Sequence, residues 1–264
     1  MANIVSGVSF PSFAHEAAWS TAAAMDPDFP VSNLSDLVNL RRVALRTAVG
    51  ATTLDFVLPA ARSIDFLAIA HHNAGPAATV AIQLSSGVDP GANLVWVAPA
   101  QPLRPVADDS LFPHLFPHRL PAPVLARSGR LTFSPNDTPL EIGAIEIGRF
   151  WKWNDVSVPR EIGIDSTANV FSGAGGVEHV TRQWSARTVR GERAVVDQLE
   201  LDTTLLDFQR ANGLWKPFVW CWDVSDPATW AREAMLVTNS DVQPGEVTDY
   251  LAGRMGFAFR EHLL

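Results

Sequence analysis

A chain of 264 residues exceeds the roughly 100 to 150 residues of a common single domain, so two compact domains are expected, and 47% hydrophobic residues suffice for two cores. A net charge of −8, with no basic stripe interleaved with aromatics, excludes nucleic acid as a partner. No apolar run reaches the ~20 residues of a membrane-spanning helix, so membrane insertion is not expected.

Residues 1–30 read as an N-terminal arm, with an Ala-rich patch from Ala14 to Met25 suited to a short helix or to lying against a neighbour. An Asn-Leu-x-Asp turn (Asn33, Leu34, Asp36) then leads into the runs Val43 to Val49, Thr52 to Leu58, Ile64 to Ala70 and Ala78 to Leu84. Val43/Leu45, Leu54/Phe56/Leu58, Ile64/Phe66 and Val80/Ile82/Leu84 fall at period two, which predicts strands with one buried face each. From Ala98 to Pro123 seven prolines fix φ and remove N–H donors, which predicts a stiff, irregular loop. Phe150 to Asn154 closes this domain, taken as residues 31–155.

The following region, 156–264, is expected to be β-rich with one helix. Gly173, Gly175 and Gly176 make a turn before strand-like segments Val177 to Val189 and Arg193 to Leu201. Asp202 is a plausible N-cap for a helix from Thr203 to Asn212, with Gly213 in the C′ place. Pro217 to Asp223, Ala231 to Thr238 and Met255 to His262 complete the predicted strands. Lone Cys221, inside Phe218-Val219-Trp220-Cys221-Trp222, reads as a small buried hydrophobe. The N-terminus lacks a charged region followed by an apolar one, so cytoplasmic synthesis without secretion is expected, which counts against an adhesin.

The search for catalytic motifs returns little. The glycines at 173, 175 and 176 are not followed by Lys-Ser/Thr as a phosphate loop requires, and Ser9 lacks the second Gly of a nucleophile elbow. His71 and His72 are adjacent on a strand and point to opposite faces, one expected to be buried and hydrogen-bonded and the other at a loop rim. His114 and His118 have helical metal-pair spacing, but Pro113 and Pro117 oppose a helix. No metal or cofactor is expected. The carboxylates Asp108-Asp109, Glu141/Glu146 and Asp223/Asp226 could flank a glycosidic bond only if folding set them at about 5 to 10 Å, and they read more simply as solvated rims.

Arginine and tryptophan dominate what remains: 18 of the 20 basic residues are Arg, only Lys152 and Lys216 being Lys, and nine Trp accompany a single Tyr. Both residue types anchor interfaces, though a GC-rich genome also favours Arg. Trp220 and Trp222 share one strand face, as do Trp151 and Trp153, and all four are expected in the core or at an interface. Loop residues His72, Asn73 and Trp96 are the candidates for stacking on and hydrogen bonding to a sugar.

The first domain resembles the galactose-binding-like (discoidin-type) jelly roll. The resemblance is carried by Asn33 to Asp36, Arg46-Thr47, Leu54 to Leu58, Ala61-Arg62 and Ile64 to Ile69, with Arg130 to Phe133 and Ile142 to Ile147 as closing strands. It implies a mainly β fold: an N-terminal antiparallel β-sandwich followed by a smaller β-rich domain with one short helix. The second half resembles the domain by which tail-tip or baseplate proteins of long-tailed phages pack together, on Arg187 to Leu201, Leu205 to Ala211, Pro217 to Asp223 and Phe257 to Glu261, which adds Arg260 to the interface candidates. In the distal-tail family the ring-forming domain comes first, the reverse of the order here. Together the resemblances imply a non-enzymatic virion subunit at the tail tip, assembled in the host cytoplasm as a ring homo-oligomer beside neighbouring tail proteins and contacting a host surface glycan. The other reading is a carbohydrate-binding module or glycan-active protein outside any virion.

Overall fold

Alternating apolar residues need a second layer to cover them, and the chain supplies it by bending its longest strands. The computed structural model describes residues 5–36, 43–104, 114–153, 161–172, 178–241, 245–249 and 252–262. Its strands are β1 (Ser6–Ser12), β2 (Ala18–Thr21), β3 (Leu45–Arg46), β4 (Gly50–His72), β5 (Thr79–Ser85), β6 (Leu94–Pro102), β7 (His114–Asn136), β8 (Glu141–Ile142) and β9 (Ala144–Trp153). They continue as β10 (Glu161–Ser172), β11 (Glu178–Asp197), β12 (Phe218–Cys221), β13 (Ala234–Asn239), β14 (Gly245–Asp249) and β15 (Ala252–Glu261). The chain divides into a first unit, residues 1–154 with 218–236, and a second, residues 155–217 with 237–263.

In the first unit the runs predicted at Thr52 to Leu58 and Ile64 to Ala70 are one strand, β4, whose pairing with β7 shifts register between Val57 and Arg62, across Pro59. The two halves of β4 therefore serve two layers. One layer runs β6-β5-β7-β4 and takes β2 on the far side of β4; the other runs β7-β4-β9-β1-β12. The interior between them is a single buried cluster that includes Leu54, Phe56, Ile64, Phe66, Ile82, Leu131, Phe133 and Ile145. Each such side chain, moved from water, contributes about 1.5 to 3 kcal/mol. Phe56 reaches Gly129 across the strands so closely that a Cβ there would lie 2.5 Å from its ring, so only glycine fits. The second half of β4 is buried on both faces from Ile64 to Ala70, not on one face as the alternation of Ile64 and Phe66 suggested.

The proline-rich stretch is strand at both of its described ends, contrary to the irregular loop expected; its middle, 105–113, lies outside the described residues. Pro117, Pro121 and Pro123 belong to β7, whose first half pairs only with β4 among the described residues, while β5 joins at Ser128 and beyond. A strand half with one partner has spare positions where a missing N–H costs nothing. The N-terminal residues expected as an arm are woven into the first unit: β1 pairs with β9 and β12, β2 pairs with β4, and Ala14–Glu16 is a single 3₁₀ turn.

Both aspartates of the sandwich pattern have structural partners. Asp55 binds Arg130 across the strands through two bonds of 2.7 and 2.8 Å. Buried Asp65 accepts the Phe150 N–H at 2.6 Å and the Arg149 Nε at 3.1 Å. Asn33 donates to the Ala44 carbonyl at 3.1 Å, closing the turn that opens the domain.

The second unit orders its strands β10-β11-β15-β13, with β14 also on β15. Its helical segment begins earlier than predicted: α1 (Gln198–Glu200), a π-helical turn (Leu201–Leu205) and α2 (Leu206–Asn212) follow one another. The N-cap is Asp197, whose carboxylate accepts the Leu199 N–H at 2.7 Å, and Asp202 lies inside the helix. Gly213, at φ 49°, ends it as expected. One further short helix, α3 (Trp230–Glu233), belongs to the first unit. The glycine turn at 173–176 lies outside the described residues.

Candidate functional site

A cluster of basic side chains in the first unit sits where β4 ends. His71 adopts φ 57°, a left-handed conformation in which His is over-represented among non-glycine residues, and this breaks the strand alternation just before His72. Asn73 then clamps the following turn: its Nδ2 donates to the Pro139 carbonyl at 2.9 Å and its Oδ1 accepts the Glu141 N–H at 2.8 Å. Its amide is exposed, but both ends of it hold the chain together.

His72 points inward and is only 4% exposed. Neither ring nitrogen has a hydrogen-bond partner among the described residues, so the expected buried, hydrogen-bonded histidine is buried but not bonded. Its ring lies 5.7 Å from that of His114, its cross-strand partner on β7. Burial, followed by the positive fields of His114, Arg104 and His71, pushes its pKa down to about 3. Three basic side chains from three separate stretches thus converge around one neutral, buried imidazole.

Trp96 is not part of this cluster. It is half-buried on β6, with its ring 5.3 Å from that of His118. His118 lies four residues along β7 from His114, roughly 13 Å of strand. It stacks on Phe116, and burial lowers its pKa to about 4.

The structure separates the residues proposed for an interface. Trp153 and Trp220 are buried within the chain, whereas Trp151 and Trp222 are half-buried. Trp151 meets Trp153 edge-on at 5.6 Å. Arg260, on β15, is partly exposed, with its Nε 3.9 Å from the Asp165 carboxylate. Sequence reading passed over Trp215, more than half exposed beside the equally exposed Leu214.

The carboxylates have other occupations. Glu141 pairs with Arg46 at 2.8 Å, and Asp223 accepts from Val5 N–H, Ser225 N–H and Ser225 hydroxyl. Glu146 is buried, and Asp108 and Asp109 lie outside the described residues. Burial pushes the Cys221 thiol up, so it stays protonated and unreactive at neutral pH. Among the described residues no three His, Cys, Asp or Glu are grouped to hold a metal, and no helix is long and apolar enough to cross a membrane.

Sequence reading found His72 and Asn73 but not His71, Arg104 and His114 as their companions. The signal that joins them is cross-strand register, which neither spacing nor composition carries.

No family model matches the chain, and no curated protein matches it. Among solved structures, a family 32 carbohydrate-binding module of Clostridium perfringens NanJ, in complex with galactose, matches with 13% identity and TM-score 0.38 over 52% of this chain and 96% of that one. The lectin domain of lectinolysin, complexed with Lewis B antigen, matches with 11% identity and TM-score 0.41 over 53% of this chain and 98% of that one. A fucose-binding module of Streptococcus pneumoniae matches with 12% identity and TM-score 0.39 over 52% of this chain and 97% of that one.

Proposed function

We propose that this chain is a non-catalytic recognition protein whose first unit binds a glycan at the end of β4. The observation that carries the reading is the convergence of His71, Arg104 and His114 on His72, a buried imidazole whose nitrogens lack partners among the described residues. Guanidinium and imidazole N–H groups suit the hydroxyls and carboxylates of a sugar, and the Asn73 clamp fixes the turn that follows His71 and His72. Losing one charge-assisted hydrogen bond costs about 1.5 to 3 kcal/mol, so Arg104→Ala and His114→Ala should each weaken binding at least about tenfold. Glycan-array screening followed by titration of the best ligand checks this. A protein that binds no glycan, or binds equally well with both substitutions, removes the reading.

A second reading, a tail-tip or baseplate subunit that packs into a ring, is favoured by the apolar surface of the second unit. Ile162 and Ile164 on β10, Leu199, Leu214 and Trp215 are each more than half exposed, in the manner of surfaces that meet a partner. Native mass spectrometry of the purified chain and proteomics of particles test it. Closed rings and presence in a tail tip are expected; a strict monomer absent from particles counts against it.

A further inference from the structure

One edge of the first unit is built unlike the edge of a protein that stays single. Strand β6 pairs only with β5 among the described residues. Leu94, Val95 and Val97 on it are 45%, 42% and 51% exposed, and Val88 in the loop before it is 53% exposed. The nine residues from Leu94 to Pro102 carry no charge, although charged side chains are the usual protection of a free edge. The preceding loop is held in place: the Gly91 N–H donates to Ser85 Oγ at 3.2 Å, the Ser86 N–H to the Asn93 carbonyl at 3.1 Å, and the Ser128 hydroxyl to the Gly87 carbonyl at 2.8 Å. The edge is therefore fixed before any partner arrives.

We propose that β6 pairs antiparallel with β6 of a second copy of this chain, about a two-fold axis at Trp96. The order Leu94-Val95-Trp96-Val97-Ala98 is apolar and nearly palindromic. A dyad at its centre sets Val95 against Val97 and Trp96 against Trp96, the self-complementarity that an isologous contact demands, and Val95 is where β6 bulges from its pairing with β5, between Trp96 opposite Leu84 and Leu94 opposite Ser85. The same register sets Pro99, which has no N–H, opposite Asn93, whose φ of 51° has already turned the chain out of the strand, so pairing ends at the same point on both sides. Strand β10, which pairs only with β11 among the described residues, lacks this property: antiparallel self-pairing about Gly163 would oppose Glu161 to Asp165, two like charges. Five paired residues make less than the roughly 800 Å² per partner of a standard stable interface, so the dimer is weak and forms as concentration rises. The inference rests on neither the glycan reading nor the ring.

Sedimentation equilibrium from micromolar to millimolar protein should give an average mass rising from 28.7 kDa toward twice that value. Amide exchange at residues 94–98 should slow over the same range, which separates strand pairing from contact through a face. Val97→Lys, at an exposed site, should abolish both effects with an unchanged melting temperature, and Val95→Glu provides a second test should that variant fold poorly. Ile164→Lys should leave both effects intact. A mass fixed at the monomer value overturns the proposal, since a strand reserved for a foreign protein would behave so. Association that survives Val97→Lys, that Ile164→Lys abolishes, or that leaves exchange on β6 unchanged also overturns it.

Discussion

Glu261→Ala is expected to destabilise the second unit by about 3 to 5 kcal/mol, the cost of leaving a buried charge without its partner. Glu261 on β15 lies beside β11, where its Oε1 accepts from Arg187 Nε at 3.0 Å and Nη2 at 2.5 Å and its Oε2 accepts the Arg187 backbone N–H at 3.0 Å. Both side chains are almost entirely removed from water, at 5% and 1% exposure, so solvent cannot replace the carboxylate once it is gone. The pair itself need not stabilise the fold over an apolar alternative, because desolvating two ions offsets most of their attraction. Arg187→Met combined with Glu261→Met should therefore recover much of the loss, and a double-mutant cycle by urea unfolding would measure the coupling. An alanine variant that loses less than about 1 kcal/mol would show that water reaches the guanidinium.

The β character of both units could be read from the period-two runs, because alternation records which face is buried. The bend in β4 could not: Leu54 to Leu58 and Ile64 to Ile69 look like separate strands around Pro59, and only their shared partner β7 makes them one. The prolines at 117, 121 and 123 misled for a related reason, since a proline's cost depends on whether its position faces another strand, a tertiary fact. Asp202 was chosen as the helix cap by its place before an apolar stretch, yet Asp197 caps a segment that starts five residues earlier and passes through a π turn. For the candidate site, the turn after β4 was legible from His72 and Asn73. The inward direction of His72 was not, because the left-handed His71 overrides strand alternation.

That inward imidazole makes the first unit acid-sensitive in a window set by its own titration. An ordinary histidine takes up a proton near pH 6.5, but folded His72 does so only near 3 and folded His118 only near 4. Burial is the leading cause for both, and His262 is shifted in the same direction by burial. In the interval between folded and unfolded values the unfolded chain binds more protons, so stability falls as pH falls. The contribution is fully present above about pH 6.5 and declines by up to about 1.4 kcal/mol per pH unit for each such group until its folded value is reached. Between about pH 6.5 and 5 most carboxylates are still ionised, so a decline there belongs chiefly to the histidines. Urea midpoints at several pH values across that interval should fall for the wild type, and less steeply for His72→Leu or His118→Phe, which cannot take up the proton. Equal slopes in all three proteins would mean that the buried rings exchange protons with solvent in the folded state.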